Sequence, residues 1–93
     1  MKLSKGFPEA LKKARKAKGL SQEDFSDVSS RTYVSTLERG LYTPTLEKVE
    51  DLAQAIGIHP LTLLTMACLA SSKISSLEKL FAQVKAEIGL MEV

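Results

Sequence analysis

"SSRTYVSTLERG", residues 29–40, decides how the rest of this chain is read. At helical spacing Val34 and Leu37 share one face. Arg31, Thr32, Ser35, Thr36 and Arg39 lie mostly away from that face, and Gly40 closes the segment. The result is a short helix with its hydroxyls and guanidiniums outward. Glu38 breaks the pattern, because it follows Val34 by four and so falls beside the apolar stripe. Nearer the N-terminus, Arg15 follows Leu11 by four, which turns a cation inward in the same way. Buried charge is tolerated when it is paired and hydrogen-bonded. An Arg15–Glu38 salt bridge between the first and third helices is therefore expected, with Arg15 structural. The alternative is that both long side chains snorkel separately to water.

Working outward, punctuation residues divide the chain into helices. Pro8 reads as a helix start, with Phe7, Leu11, Ala14 and Lys18 following at helical spacing and Gly19 ending the run. Ser21 caps a second helix, backed by Asp24 three residues on, with Phe25 and Val28 inward and Ser26 small enough for close approach. Ser29 or Ser30 caps the third. Thr43 and Pro44 open a fourth, carrying Leu46, Val49, Leu52, Ala53 and Ile56 up to Gly57. His59-Pro60 opens a fifth with Leu61, Leu64 and Cys68 inward. Ser75 and Glu78 form a capping box before Leu77, Leu80, Phe81, Val84, Ile88 and Met91. No segment alternates as a strand does. The expected class is all-α: five short helices followed by a longer amphipathic one.

Ninety-three residues suit a single modest core. The formal charge of +2 is too small to argue for nucleic acid. Seven basic residues crowd the first eighteen positions, a pattern more often seen on a solvated helix face than in a binding patch. Cys68 stands alone, which excludes an internal disulfide and fits a reducing compartment. The basic start leads into an amphipathic helix, not a signal peptide, and the apolar run near residue 65 is too short to span a bilayer. A cytoplasmic protein without membrane contact is expected. His59 has no second ligand nearby, so neither a metal nor a cofactor is expected. The Ser and Thr residues lack a base and there is no phosphate loop, so no enzyme is expected.

Two capped helices joined by a tight turn, the second with a polar face, describe a helix-turn-helix. "LSQEDFSDVSSRTYVSTLERGLYTPTLEKVEDLAQAIGI", residues 20–58, resembles the DNA-binding domain of the Cro/cI-type (XRE) regulators, the likeness running from about Phe7 to Leu64. Its "RTYVS" is similar to the controller proteins of restriction–modification systems. The resemblance implies a five-helix, lambda-repressor-like fold. It assigns Gln22 to a backbone phosphate and to bracing the recognition helix. Arg31, Thr32 and Thr36 fall at base-reading positions, and Tyr33 and Ser35 at places that meet phosphate or neighbouring bases. Arg39, Tyr42 and Thr43 fall near the backbone. An arginine bonding guanine and a threonine methyl on thymine suit these roles, and a merely solvated face is the bland alternative. One departure stands out: eight residues separate Gln22 from Arg31 where the family commonly has ten, and the turn glycine is missing. Either the second helix shortens or "VSSR" turns unusually tightly.

Residues 1–70 are thus expected to form the DNA-binding domain and 71–93 an added C-terminal helix. That helix either folds back over Leu63, Met66 and Leu69 or pairs with a second copy. Pairing through Leu77, Leu80, Phe81, Val84 and Ile88 is favoured, since palindromic operators call for two-fold dimers. The expected function is a dimeric, sequence-specific regulator of transcription, acting as a repressor on a palindromic double-stranded operator. The competing reading is a module that holds a partner protein, such as an antitoxin or adaptor.

Overall fold

The computed structural model describes residues 2–72, 74 and 76–92. Five α-helices follow one another: α1 (Leu3–Ala17), α2 (Arg31–Glu38), α3 (Leu46–Ile56), α4 (Pro60–Ser71) and α5 (Leu77–Met91). A single 3-10 turn, Gln22–Phe25, lies between α1 and α2. No strand occurs among the described residues, and the class is all-α as expected.

The broadest packing is α1 along α4. Gly6 makes it possible, because a Cβ there would lie 2.1 Å from the carbonyl oxygen of Ala67. This close approach anchors the first turns of α1 and corrects the reading of Pro8. The helix starts at Leu3 and runs through Pro8, whose missing N–H leaves the carbonyl of exposed Ser4 to solvent. Phe7, Ala10, Leu11 and Ala14 from α1 meet Leu63 and Ala67 from α4 in one core. Phe25, Val34, Leu37, Val49, Leu52, Ala53 and Ile56 complete it. α3 and α4 meet at 106°.

Several expected caps shift. Thr45, not Thr43, caps α3, its hydroxyl accepting from the Lys48 N–H at 3.1 Å. Ser75 lies outside the described residues, and the hydroxyl of Ser76 accepts from the Lys79 N–H at 3.2 Å. Ser30 caps α2, accepting from the Tyr33 N–H at 3.1 Å. Ser26, read as a point of close helix approach, is exposed. Leu46 and Leu61, read as inward, are 73% and 56% exposed. Each sits in the first turn of its helix, at the rim of a groove and outside the core. His59 acts as the cap of α4, its Nδ1 accepting from the Leu61 N–H at 2.9 Å.

Candidate nucleic-acid interface

The second element of the helix-turn-helix is reduced to one 3-10 turn. The Ser21 N–H donates to the Asp24 carboxylate at 2.7 Å, closing its start. Phe25 is fully buried, and its carbonyl accepts from the N–H groups of Val28 and Ser29 at 2.9 and 2.8 Å. Both of the options left open by the short spacing are therefore realised together: the helix contracts and residues 26–30 turn tightly into Ser30.

A cation from another element holds this contracted corner. Lys48 of α3 donates through Nζ to the Val28 carbonyl at 2.8 Å. The same ammonium lies 5.4 Å from the centre of the Tyr33 ring, within cation–π range. Tyr33 in turn stacks on Tyr42, with ring centres 6.4 Å apart and planes at 24°. Sequence reasoning missed Lys48, although its place one turn into α3 faces the end of the preceding motif.

α2 then follows with the expected division of faces. Val34 and Leu37 are fully buried, Arg31 and Thr32 are exposed, and Ser35 and Thr36 are half-buried at the margin. The helix ends in a Schellman motif, with the Gly40 N–H donating to the Leu37 carbonyl at 3.1 Å and the Leu41 N–H to the Thr36 carbonyl at 3.0 Å. Gly40 adopts φ +75°, which a side chain would strain. Thr36 donates its hydroxyl back to the carbonyls of Tyr33 and Thr32 at 2.7 and 2.9 Å. With that proton engaged, the hydroxyl oxygen offers lone pairs outward and the methyl a small apolar contact. Arg39 Nε approaches the Ser35 carbonyl at 3.4 Å. Arg31 lies 3.5 Å from Glu23, both side chains about 70% exposed. So open an ion pair is weak and is readily exchanged for another anion. Tyr42 and Thr43 are exposed on the loop beyond α2.

Beneath this surface Arg15 and Glu38 meet. Arg15 donates through Nε to Glu38 Oε2 at 2.6 Å and through Nη2 to Oε1 at 2.9 Å, the two side chains only 10% and 5% exposed. Gln22 Nε2 donates to the same Oε1 at 3.2 Å, and Arg15 Nη1 to the Leu20 carbonyl at 2.8 Å. The network ties α1, the 3-10 turn and the last turn of α2 together. No buried side-chain polar atom among the described residues lacks a partner. The hydrogen bond to Glu38 holds the Arg15 guanidinium above its ordinary pKa, overriding desolvation, and the carboxylate's charge adds to it. Its charge is therefore fixed at every working pH. Gln22 is thus a brace in this structure, through one N–H of its side-chain amide.

The residues expected on a pairing face are divided. Leu80 is 8% exposed and turned into its own body, which removes it from any outward face. Leu77, Phe81, Val84 and Ile88 are 42–47% exposed. Leu63 is fully buried in the core, whereas Met66 and Leu69 border a groove with Leu77 and Phe81. Among the described residues no group of three or more His, Cys, Asp or Glu is placed to hold a metal. No single described helix is long and apolar enough to cross a membrane.

A helix-turn-helix family model matches residues 11–63, more than half the chain. An uncharacterized HTH-type transcriptional regulator of Sinorhizobium fredii is 43% identical over 53 residues, covering 55% of this chain and 69% of that protein. The chain belongs to the helix-turn-helix family of Cro/cI-like (XRE) regulators. No solved structure gives a significant match. The family match ends at the start of α4, so α5 lies wholly outside it.

Proposed function

We propose that the protein is a sequence-specific regulator of transcription that places α2 in the DNA major groove and acts as a dimer, as a repressor. The observation that carries this reading is the two-faced α2: Val34 and Leu37 seated in the core, Arg31, Thr32, Ser35 and Thr36 at or near the surface, and the rod held by a buried ion pair. Eight helical residues span about 12 Å, commensurate with the groove they would enter. Arg31 reads a base edge, Thr32 and Thr36 supply hydroxyl and methyl contacts, and Arg39, Tyr42 and Thr43 meet phosphate. The relative's description as a transcriptional regulator supports the same role. So does "RTYVS", which supports a place among restriction–modification controllers.

In this reading residues 1–70 bind DNA, residues 71–93 add the pairing element, and the protein works in the cytoplasm. No cofactor and no catalysis are assigned to it. The exposed apolar side of α5 favours a second reading, a module such as an antitoxin that holds a partner protein. Its signature is a stoichiometric partner lost when residues 77–92 are deleted.

The test is fluorescence anisotropy on a duplex obtained by random-sequence selection, beside a scrambled one, across a salt series. The expected result is at least about a thousandfold preference for the selected duplex. Binding that is equal on both duplexes and wholly salt-driven overturns the proposal.

A further inference from the structure

α5 carries a pattern narrower than a core-facing helix needs. Leu77, Phe81, Val84, Ile88 and Met91 are spaced 4, 3, 4 and 3 apart, which is a d-a-d-a-d heptad seam. A helix packing only on its own domain shows a wider stripe. Here the flanking Leu80 takes the domain-facing role and is buried, while the seam stays 42–72% exposed. Leu61 of α4, itself 56% exposed, borders the groove formed by Phe81, Val84, Lys85 and Ile88. With Leu61 the seam presents on the order of 600 Å² of apolar surface per copy, the upper end for a monomer's largest patch. Doubled to about 1,200 Å², it reaches the lower bound of a stable interface.

We infer that a second copy of this chain covers the seam, its α5 running antiparallel, in a register set by Glu78 pairing with Lys85 of the other copy. The inference rests on the dimeric reading above and adds orientation and register to it. The charges beside the seam decide both. Glu78, Lys85 and Glu92 occupy the e positions and Glu87 a g position. In a parallel pair g faces the next e, which brings Glu87 against Glu92 of the partner copy, a repulsion. In an antiparallel pair e faces e. Layering Phe81 on Val84 and Leu77 on Ile88, each across the two-fold axis, places Lys85 beside Glu78 twice. Shifting one layer, so that Val84 meets Ile88, sets Lys85 against its own copy and Glu78 against Glu92. Only the first arrangement has every facing e pair of opposite sign.

Sedimentation of the full chain without DNA tests this, so its outcome does not depend on the groove reading. The unaltered protein is expected to be a dimer at 100 µM or below. E78K and K85E each turn two attractions into two repulsions and are expected to raise the dimer Kd about tenfold at low salt. The E78K/K85E double exchange is expected to return it to within about twofold. Val84→Asp, at an exposed seam position, is expected to give a folded monomer with an unchanged thermal midpoint for the body. A double exchange no better than the singles overturns the register. A dimeric Val84→Asp variant, or an unaltered protein that stays monomeric at 100 µM or takes up only a foreign chain, overturns the surface.

Discussion

Truncating Glu38 to alanine probes the joint on which α2 rests. The carboxylate is 5% exposed and accepts three hydrogen bonds, two from Arg15 and one from Gln22. Its loss strands a guanidinium that is itself 10% exposed and keeps only the Leu20 carbonyl. Removing one partner of a buried pair costs about 3–5 kcal/mol. A domain of this size has roughly 5–14 kcal/mol in total, so the variant retains a fraction of its stability. At about 4–8 °C per kcal/mol, Tm falls by about 12–40 °C. Replacing both partners by apolar residues of similar volume, Arg15→Met with Glu38→Leu, removes the stranded charge and returns stability to within about 1 kcal/mol of the original. Urea unfolding followed by far-UV circular dichroism on the original protein, Arg15→Met, Glu38→Leu and the double variant measures the coupling directly. A Glu38→Ala cost under about 1 kcal/mol, or a double variant that loses the sum of the singles, refutes the claim that the pair is a buried joint.

Three further outcomes follow from other contacts. Gly6→Ala drives a methyl to within 2.1 Å of the Ala67 carbonyl, so despite alanine's better helix propensity it is expected to lose about 1–3 kcal/mol in calorimetry; a stabilised protein would contradict the α1–α4 contact. Lys48→Met removes the charged donor on the Val28 carbonyl and is expected to weaken operator binding about tenfold while changing Tm by only a few degrees. Unchanged affinity in anisotropy would remove Lys48 from the positioning of α2. Glu23→Gln releases Arg31 from a competing carboxylate and is expected to tighten DNA binding two- to fivefold, by about 0.5–1 kcal/mol, at low salt. A weaker complex would mean that Glu23 itself makes a contact.

Much of the joint could be read in the sequence because a few residues have one physical use. Gly40 at the end of a periodic run ends a helix, Ser30 before one caps it, and inward Arg15 and Glu38 have no comfortable state but each other. Positions failed where chemistry allowed two answers. Pro8 is a good first residue of a helix, yet it is tolerated a turn later when Gly6 locks the segment onto α4. Leu46 and Leu61 match the helical period but fall in first turns that neighbours cover only in part. Leu80 and Phe81 are adjacent large apolar residues in sequence, and only packing decides that one is buried and the other is not. The contraction of the second helix was legible as a missing pair of residues. Its remedy, a lysine reaching from α3 to the Val28 carbonyl, depends on a tertiary approach that no local pattern encodes.

Binding-site selection run in parallel on the protein and on Arg31→Ala tests most directly whether α2 reads DNA. The account predicts two inverted half-sites, with the variant losing preference at one base pair in each half-site and about 1–3 kcal/mol of affinity for the original sequence. An identical motif from both proteins, at equal affinity, would contradict it.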